Sequence, residues 1–141
     1  MAQWLRLRVA MWPEDTVEEH RQQMADVLGS DRQAAIVIER PGGGLGGFVE
    51  VTIHPRALGC ATHDVAYVEG WYVDENLRRQ GWGRRLMLAA EEWGRAAGAA
   101  EIASDTQVDN TISLRAHLSL GYRECGRLIH FSKRLEPRGR V

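Results

Sequence analysis

The chain has 141 residues, enough for one compact domain around a single core. Hydrophobic residues make up 44% and charged residues 26%, the balance of a folded soluble globule rather than a fibrous or disordered chain. The formal net charge of -1 excludes the broad basic surface of a nucleic-acid binder, and no apolar run approaches the roughly 20 residues that cross a bilayer.

The opening segment reads two ways. Leu5, Leu7, Val9 and Met11 alternate as in a strand, whereas Trp4, Leu7, Val9, Met11 and Trp12 make a ragged helical face. Pro13 ends it in either case, because the residue before proline is driven out of helical geometry. Thr16 and Glu19 then stand at capping-box spacing ahead of Val17, Met24, Val27 and Leu28, and Gly29 stops that helix. A hairpin follows, with strands over residues 34–38 and 48–53 and a turn at Pro41-Gly42-Gly43-Gly44.

Residues 54–64 read as a loop, and 65–73 as a central strand with Gly70 inside it. An interior glycine marks a bulge or a close backbone approach. An arginine- and glycine-rich turn at 76–83 leads into a helix carrying Leu86, Ala89, Ala90 and Trp93, stopped at Gly98. A short strand at 101–105, a helix from Asn110 to Leu120 and two last strands over 122–127 and 129–135 complete the pattern, with a loose tail over 136–141. The sum is one α/β (α+β) domain spanning 1–141, with a mostly antiparallel sheet and one parallel β-α-β unit. Cys60 and Cys125 lack the spacing of a disulfide framework or a metal knuckle and read as free thiols. With no signal peptide recognisable at the start of the chain, this places the protein in the cytoplasm, without a metal.

The chemistry centres on Arg78-x-x-Gly81-x-Gly83 between a strand and a long helix. Such a turn presents unpaired backbone N–H groups and the positive end of a helix dipole, a receptor for phosphate oxygens. Arg78, Arg79 and Arg84 can add charge-assisted hydrogen bonds. The pattern is neither a dinucleotide fingerprint, which needs a third glycine and a later acidic residue, nor a P-loop.

The segment from Glu69 through Arg79-Gln80-Gly81-Trp82-Gly83-Arg84 to Met87 resembles the acetyl-CoA motif of GNAT acetyltransferases. The later Asn110-x-x-Ser113-x-x-x-His117-x-x-x-Gly121-Tyr122 is similar to the second cofactor motif of that family. Trp12-Pro13, Val68-Glu69-Gly70, Ala103-Ser104-Asp105-Thr106, Asn110-Thr111-Ile112-Ser113 and Phe131-x-Lys133 look like the aminoglycoside 6'-N-acetyltransferases within it, over nearly the whole chain.

The resemblance implies the GNAT fold, whose splayed parallel strand pair holds acetyl-CoA. It further implies that Trp71, Tyr72 and Val73 bind the acetyl-pantetheine arm through their backbones, that the turn from Arg78 to Arg84 (Arg78, Arg79, Gln80, Gly81, Trp82, Gly83, Arg84) holds the pyrophosphate, and that Asn110 touches pantetheine. Trp12, Glu69 and Asp105 would line the site for the aminoglycoside, a small-molecule partner. A carboxylate beside the acyl carbon can act as general base toward the attacking amine, and Glu69 is placed for it. Asp105 ends a parallel strand, where a crevice opens. The Val73 N–H is the candidate oxyanion donor, and His117 stands where family members carry a proton-donating tyrosine. Homodimers built through the C-terminal strand are a further family expectation.

Three departures stand out. The family begins with an extra strand before its first helix, whereas Met1 here falls close to that helix; Arg56 occupies an expected aromatic position, and Gly126 stands where a substrate-binding carboxylate is expected, with Glu124 nearby. Two other readings remain: a GNAT enzyme for a polyamine or protein amine, and a non-catalytic acyl-CoA sensor.

Overall fold

The computed structural model describes residues 1–139. Residues 140 and 141 of the expected tail lie outside the described residues, and 136–139 have no regular structure.

The ambiguous opening is a helix, α1 (Ala2–Met11). Its buried residues are Trp4, Leu7 and Arg8. Arg8 donates to both carboxylate oxygens of Glu50 and to Gln23, and Trp4 Nε1 donates to Glu50 at 3.0 Å. Helix α2 (Val17–Leu28) starts at the expected capping box: Glu19 N–H donates to Thr16 Oγ1 at 3.1 Å and Thr16 N–H to Glu19 at 2.7 Å. His20, fully buried on α2, hydrogen-bonds the Trp12 carbonyl through Nε2 at 3.1 Å and faces Arg8 Nε through Nδ1.

Strands β1 (Gln33–Glu39), β2 (Leu45–His54) and β3 (Val65–Val73) form an antiparallel sheet. A short 3₁₀ turn (Glu75–Leu77) leads to α3 (Trp82–Ala96), and β4 (Ile102–Ser104) returns parallel to β3, giving the order β1-β2-β3-β4. Helix α4 (Thr111–Ser119) follows. The mixed sheet and single parallel crossover match the sequence reading.

The expected bulge is present. Glu50 pairs with Gly70 but its neighbour Val51 pairs with Val68, so Glu69 is the extra residue of β3. The bulge inverts which side chains face which layer. Before it Ala66 and Val68 pack toward α3 with Leu86, Met87 and Ala90; after it Trp71 and Val73 do so, while Tyr72 joins Phe48 and Trp4 in the layer under α1 and α2. The sheet is thus covered by α3 on one face and by α1 and α2 on the other.

One expectation fails. The two last strands expected over 122–127 and 129–135 are absent: residues 122–139 make no ladder, and Ile129, Phe131 and Leu135 are 80–91% exposed. A strand needs a partner for its N–H and C=O groups, and none of the described strands of this chain lies alongside this segment.

Candidate functional site

The glycine turn leaves the N-terminus of α3 open and uncapped by any side chain. Gly81 is the N-cap of α3 in a left-handed conformation (φ 86°), with no side-chain cap on the first turn and open space where a Cβ would stand. Arg79 is also left-handed (φ 62°), an uncommon conformation for a residue with a side chain. The leading N–H groups of α3 are therefore free for an anion, with the helix dipole behind them. Arg84, Arg79 and Gln80 are exposed around them, and Gln80 Nε2 donates to the Asn76 carbonyl at 3.1 Å. A Cβ on Gly83 would meet the Trp71 ring at 3.2 Å, and the Gly83 carbonyl accepts from Trp71 Nε1 at 3.0 Å, locking the turn to β3.

Arg78 turns the other way. Its Nε donates to the Val73 carbonyl at 2.9 Å and its guanidinium lies over Tyr72, so it braces the exit of β3.

Pairing between β3 and β4 ends at Val68 and Ser104. Beyond that point the β4-side edge of Gly70, Trp71, Tyr72 and Val73 has no strand partner among the described residues. An extended amide-bearing arm fits such an edge as an added strand. The free helix end and open backbone edge, adjoining through Trp71 and Gly83, fit the pyrophosphate and pantetheine of a CoA thioester.

A second cluster of polar side chains lies next to the bulge. Glu69 is partly exposed, and His54 Nε2 at the end of β2 donates to its Oε1 at 2.5 Å. The His54 ring stacks on Tyr67 (centroids 4.7 Å apart, 24° between planes), and the Tyr67 hydroxyl donates to Asp105 Oδ2. Burial, then Asp105, pushes the Tyr67 phenol well above its ordinary range, so it stays a donor. Glu69 and Asp105 are thus linked through the stacked His54 and Tyr67 rings, and Asp105 but not Glu69 lines the cleft described below. His54 and Tyr67 were not singled out from the sequence; their signal was an imidazole and a phenol on the same sheet face as Glu69, visible only once the register is known.

Trp12 caps α1 and packs edge-on against Phe48, with Arg8 over its ring at 4.8 Å. It also covers Gly70, next to Glu69: a Cβ on Gly70 would meet Trp12 Cζ2 at 2.6 Å. A cleft of 760 Å³ opens from Tyr67 and Asp105, bounded by Glu91, His117, Glu124 and Cys125.

His117 has both ring nitrogens engaged: Nδ1 donates to the Ser113 carbonyl at 2.7 Å, and Nε2 meets Ser104 Oγ at 2.8 Å. Its ring also contacts Trp71 and Tyr122 edge-on. Asn110 caps α4, its Oδ1 accepting from Ser113 N–H at 3.1 Å, which leaves its amide NH₂ for a ligand. Arg56 hydrogen-bonds His63 at 3.1 Å, and Glu124 pairs with Arg127, which holds its carboxyl below the usual range. Gly126 faces Leu58. Cys60 and Cys125 are free thiols, and no group of three metal-ligating side chains occurs among the described residues. No described helix is long and apolar enough to cross a membrane.

An open strand edge and helix end that fit a CoA thioester, beside a cluster of carboxylates, suit an acyl-CoA-dependent N-acyltransferase, and the chain belongs to the acetyltransferase (GNAT) family, whose sequence profile matches residues 1–122. Aminoglycoside N(6')-acetyltransferase type 1 of Klebsiella aerogenes is 43% identical over 95% of this chain and 90% of its own length. The enzyme of the same name from Serratia marcescens is 38% identical over 94% of this chain and 91% of its own. Among solved structures, AAC(6')-Iy in complex with the bisubstrate analog CoA-S-monomethyl-acetylneamine superposes with a TM-score of 0.89 at 32% identity, covering 95% of this chain and 91% of that one. The apo aminoglycoside 6'-N-acetyltransferase AAC(6')-IG of Acinetobacter haemolyticus gives 0.86 at 31%, covering 96% and 92%.

Proposed function

We propose that the protein is an aminoglycoside 6'-N-acetyltransferase, moving the acetyl group of acetyl-CoA to the 6'-amine by direct attack in a ternary complex and so conferring resistance. The observation that carries this is Glu69 at the bulge, linked through the stacked His54 and Tyr67 rings to Asp105 at the mouth of a cleft, next to an open strand edge. Whole-length similarity to named aminoglycoside N(6')-acetyltransferases and to a structure holding a joined CoA–neamine ligand supports the choice of acceptor.

The residues divide the work as follows. The backbones of Trp71, Tyr72 and Val73 carry the acetyl-pantetheine arm, and Asn110 adds a contact to it. The turn from Arg79 to Arg84 takes the pyrophosphate, with Arg78 bracing the strand exit. Trp12, Glu69 and Asp105 receive the aminoglycoside. Glu69, directly or through a water, accepts one proton from the acceptor ammonium. The freed lone pair attacks the thioester carbon, and the Val73 N–H steadies the oxyanion. The C–S bond then breaks with its electron pair on sulfur. The nitrogen gives up its second proton, the CoA thiolate takes one, and one proton leaves to water. With Nδ1–H given to the Ser113 carbonyl, His117 can donate to the thiolate only as an imidazolium whose Nε2 has released Ser104.

Residues 1–141 act as one catalytic domain, working in the cytoplasm, whose reducing conditions suit two free thiols. The bare, apolar segment carrying Ile129, Phe131 and Leu135 supports a homodimer in which each C-terminal segment meets the partner.

Thiol release from acetyl-CoA, followed colorimetrically, tests the reading. Kanamycin or tobramycin should turn over, and a 6'-hydroxyl analogue should not. Turnover confined to spermidine or a peptide would discard the aminoglycoside reading. A Glu69→Gln variant that binds CoA unchanged, of a protein that turns over no amine, would mark a sensor.

A further inference from the structure

The two carboxylates of the acceptor site are not held by their own strands. Glu69 is a bulge residue, outside the regular ladder, and Asp105 lies one residue past the end of β4. A carboxylate at such a position is free to rotate, and a general base must keep one oxygen aimed at the proton it removes. The restraint comes from a stacked pair of rings on neighbouring strands. His54 is paired with Val65, and Tyr67 lies two residues further along β3, so the rings are diagonal neighbours on one sheet face.

We propose that His54 and Tyr67 form a positioning platform: the stacked rings fix each other, and each donates one hydrogen bond to one carboxylate, His54 to Glu69 and Tyr67 to Asp105. Each carboxylate then has one oxygen tied and the other turned to the acceptor's ammonium groups. The roles separate along the reaction. His54 acts through the group that removes the proton, and Tyr67 acts through the group that binds the polycation.

The inference rests on the proposed roles of Glu69 and Asp105, and it makes a split that mere structural support does not. His54→Phe and Tyr67→Phe each keep a ring for the stack and delete one donor. His54→Gln deletes the ring and keeps a donor at the reach of Nε2. With kanamycin as acceptor, His54→Phe should lower kcat about 10- to 100-fold with KM nearly unchanged, the size expected for a misaimed reacting group. Tyr67→Phe should raise the kanamycin KM about 10-fold and leave kcat close to normal. His54→Gln should recover most of kcat. All three should bind CoA and melt as the parent does.

In a Glu69→Gln background, His54→Phe should cost nothing further, because its effect passes through that carboxylate. If Glu69→Gln abolishes turnover while His54→Phe leaves kcat unchanged, or if Phe is tolerated at 54 and Gln is not, the platform is refuted and the base survives. If Glu69→Gln turns over normally, the base and the platform fall together.

Discussion

Glu50 offers the sharpest test of how this fold is held together. Its carboxylate is about 5% exposed and takes hydrogen bonds from Arg8, itself 2% exposed, and from Trp4 Nε1. Glu50→Leu removes the acceptor and strands a guanidinium between the sheet and α1. Breaking a buried pair from one side costs about 3–5 kcal/mol, because the remaining charge is uncompensated. At about 3 °C per kcal/mol for a chain near this size, Tm should fall by roughly 9–15 °C. The double variant Arg8→Met/Glu50→Leu removes both charges and should regain at least half of the loss, although Trp4 Nε1, Gln23 and His20 then lose partners. Urea melts of the parent, both single variants and the double at neutral pH give the cycle. A single variant costing less than about 1 kcal/mol, or a double no better than the sum of the singles, would refute the reasoning.

Gly70→Ala puts a methyl at 2.6 Å from Trp12 Cζ2 and 3.1 Å from Met11 Sδ. Trp12 must move, so acceptor KM should rise severalfold while CoA affinity measured by calorimetry stays the same. Gly81→Ala meets no neighbour but forces a side chain into φ 86°, which costs about 1–2 kcal/mol; CoA binding should weaken more than acceptor binding. Thr16→Ala opens the capping box and should cost about 1 kcal/mol in a urea melt, with turnover unchanged. Asp74 accepts from Arg6 and Arg40, which hold its carboxyl below its ordinary 3.8. A carboxyl depressed on folding stabilises above its unfolded pKa and loses that contribution as pH falls through the depressed value. Asp74→Asn should therefore be less stable than the parent at pH 7, and the gap should close below about pH 4.

The fold was legible where local chemistry governs it. The Thr16–Glu19 box, the Gly98 and Gly121 stops and the Gly70 bulge all carry short-range signals, and the structure has each. The first helix was obscured for a physical reason: its buried face is Trp4, Leu7 and Arg8, and the arginine breaks the apolar stripe while serving a buried carboxylate 42 residues away. The last strands expected over 122–127 and 129–135 are absent, because a local stretch of sequence says only that a strand could form and not that a partner strand lies alongside. Glu69 and Asp105 were picked out by motif, whereas His54 and Tyr67 depend on a cross-strand register separated by a ten-residue loop, which no local pattern encodes.

The extra residue in β3 also divides one strand into two territories. Upstream of Glu69 the side chains at the acceptor site are set by one phase of the alternation; downstream, the chain runs in the opposite phase beside the cofactor edge. If the acceptor binds at Glu69 and Asp105 as proposed, changes at His54, Arg56 or Tyr67 should alter the acceptor KM while CoA affinity measured by calorimetry stays the same.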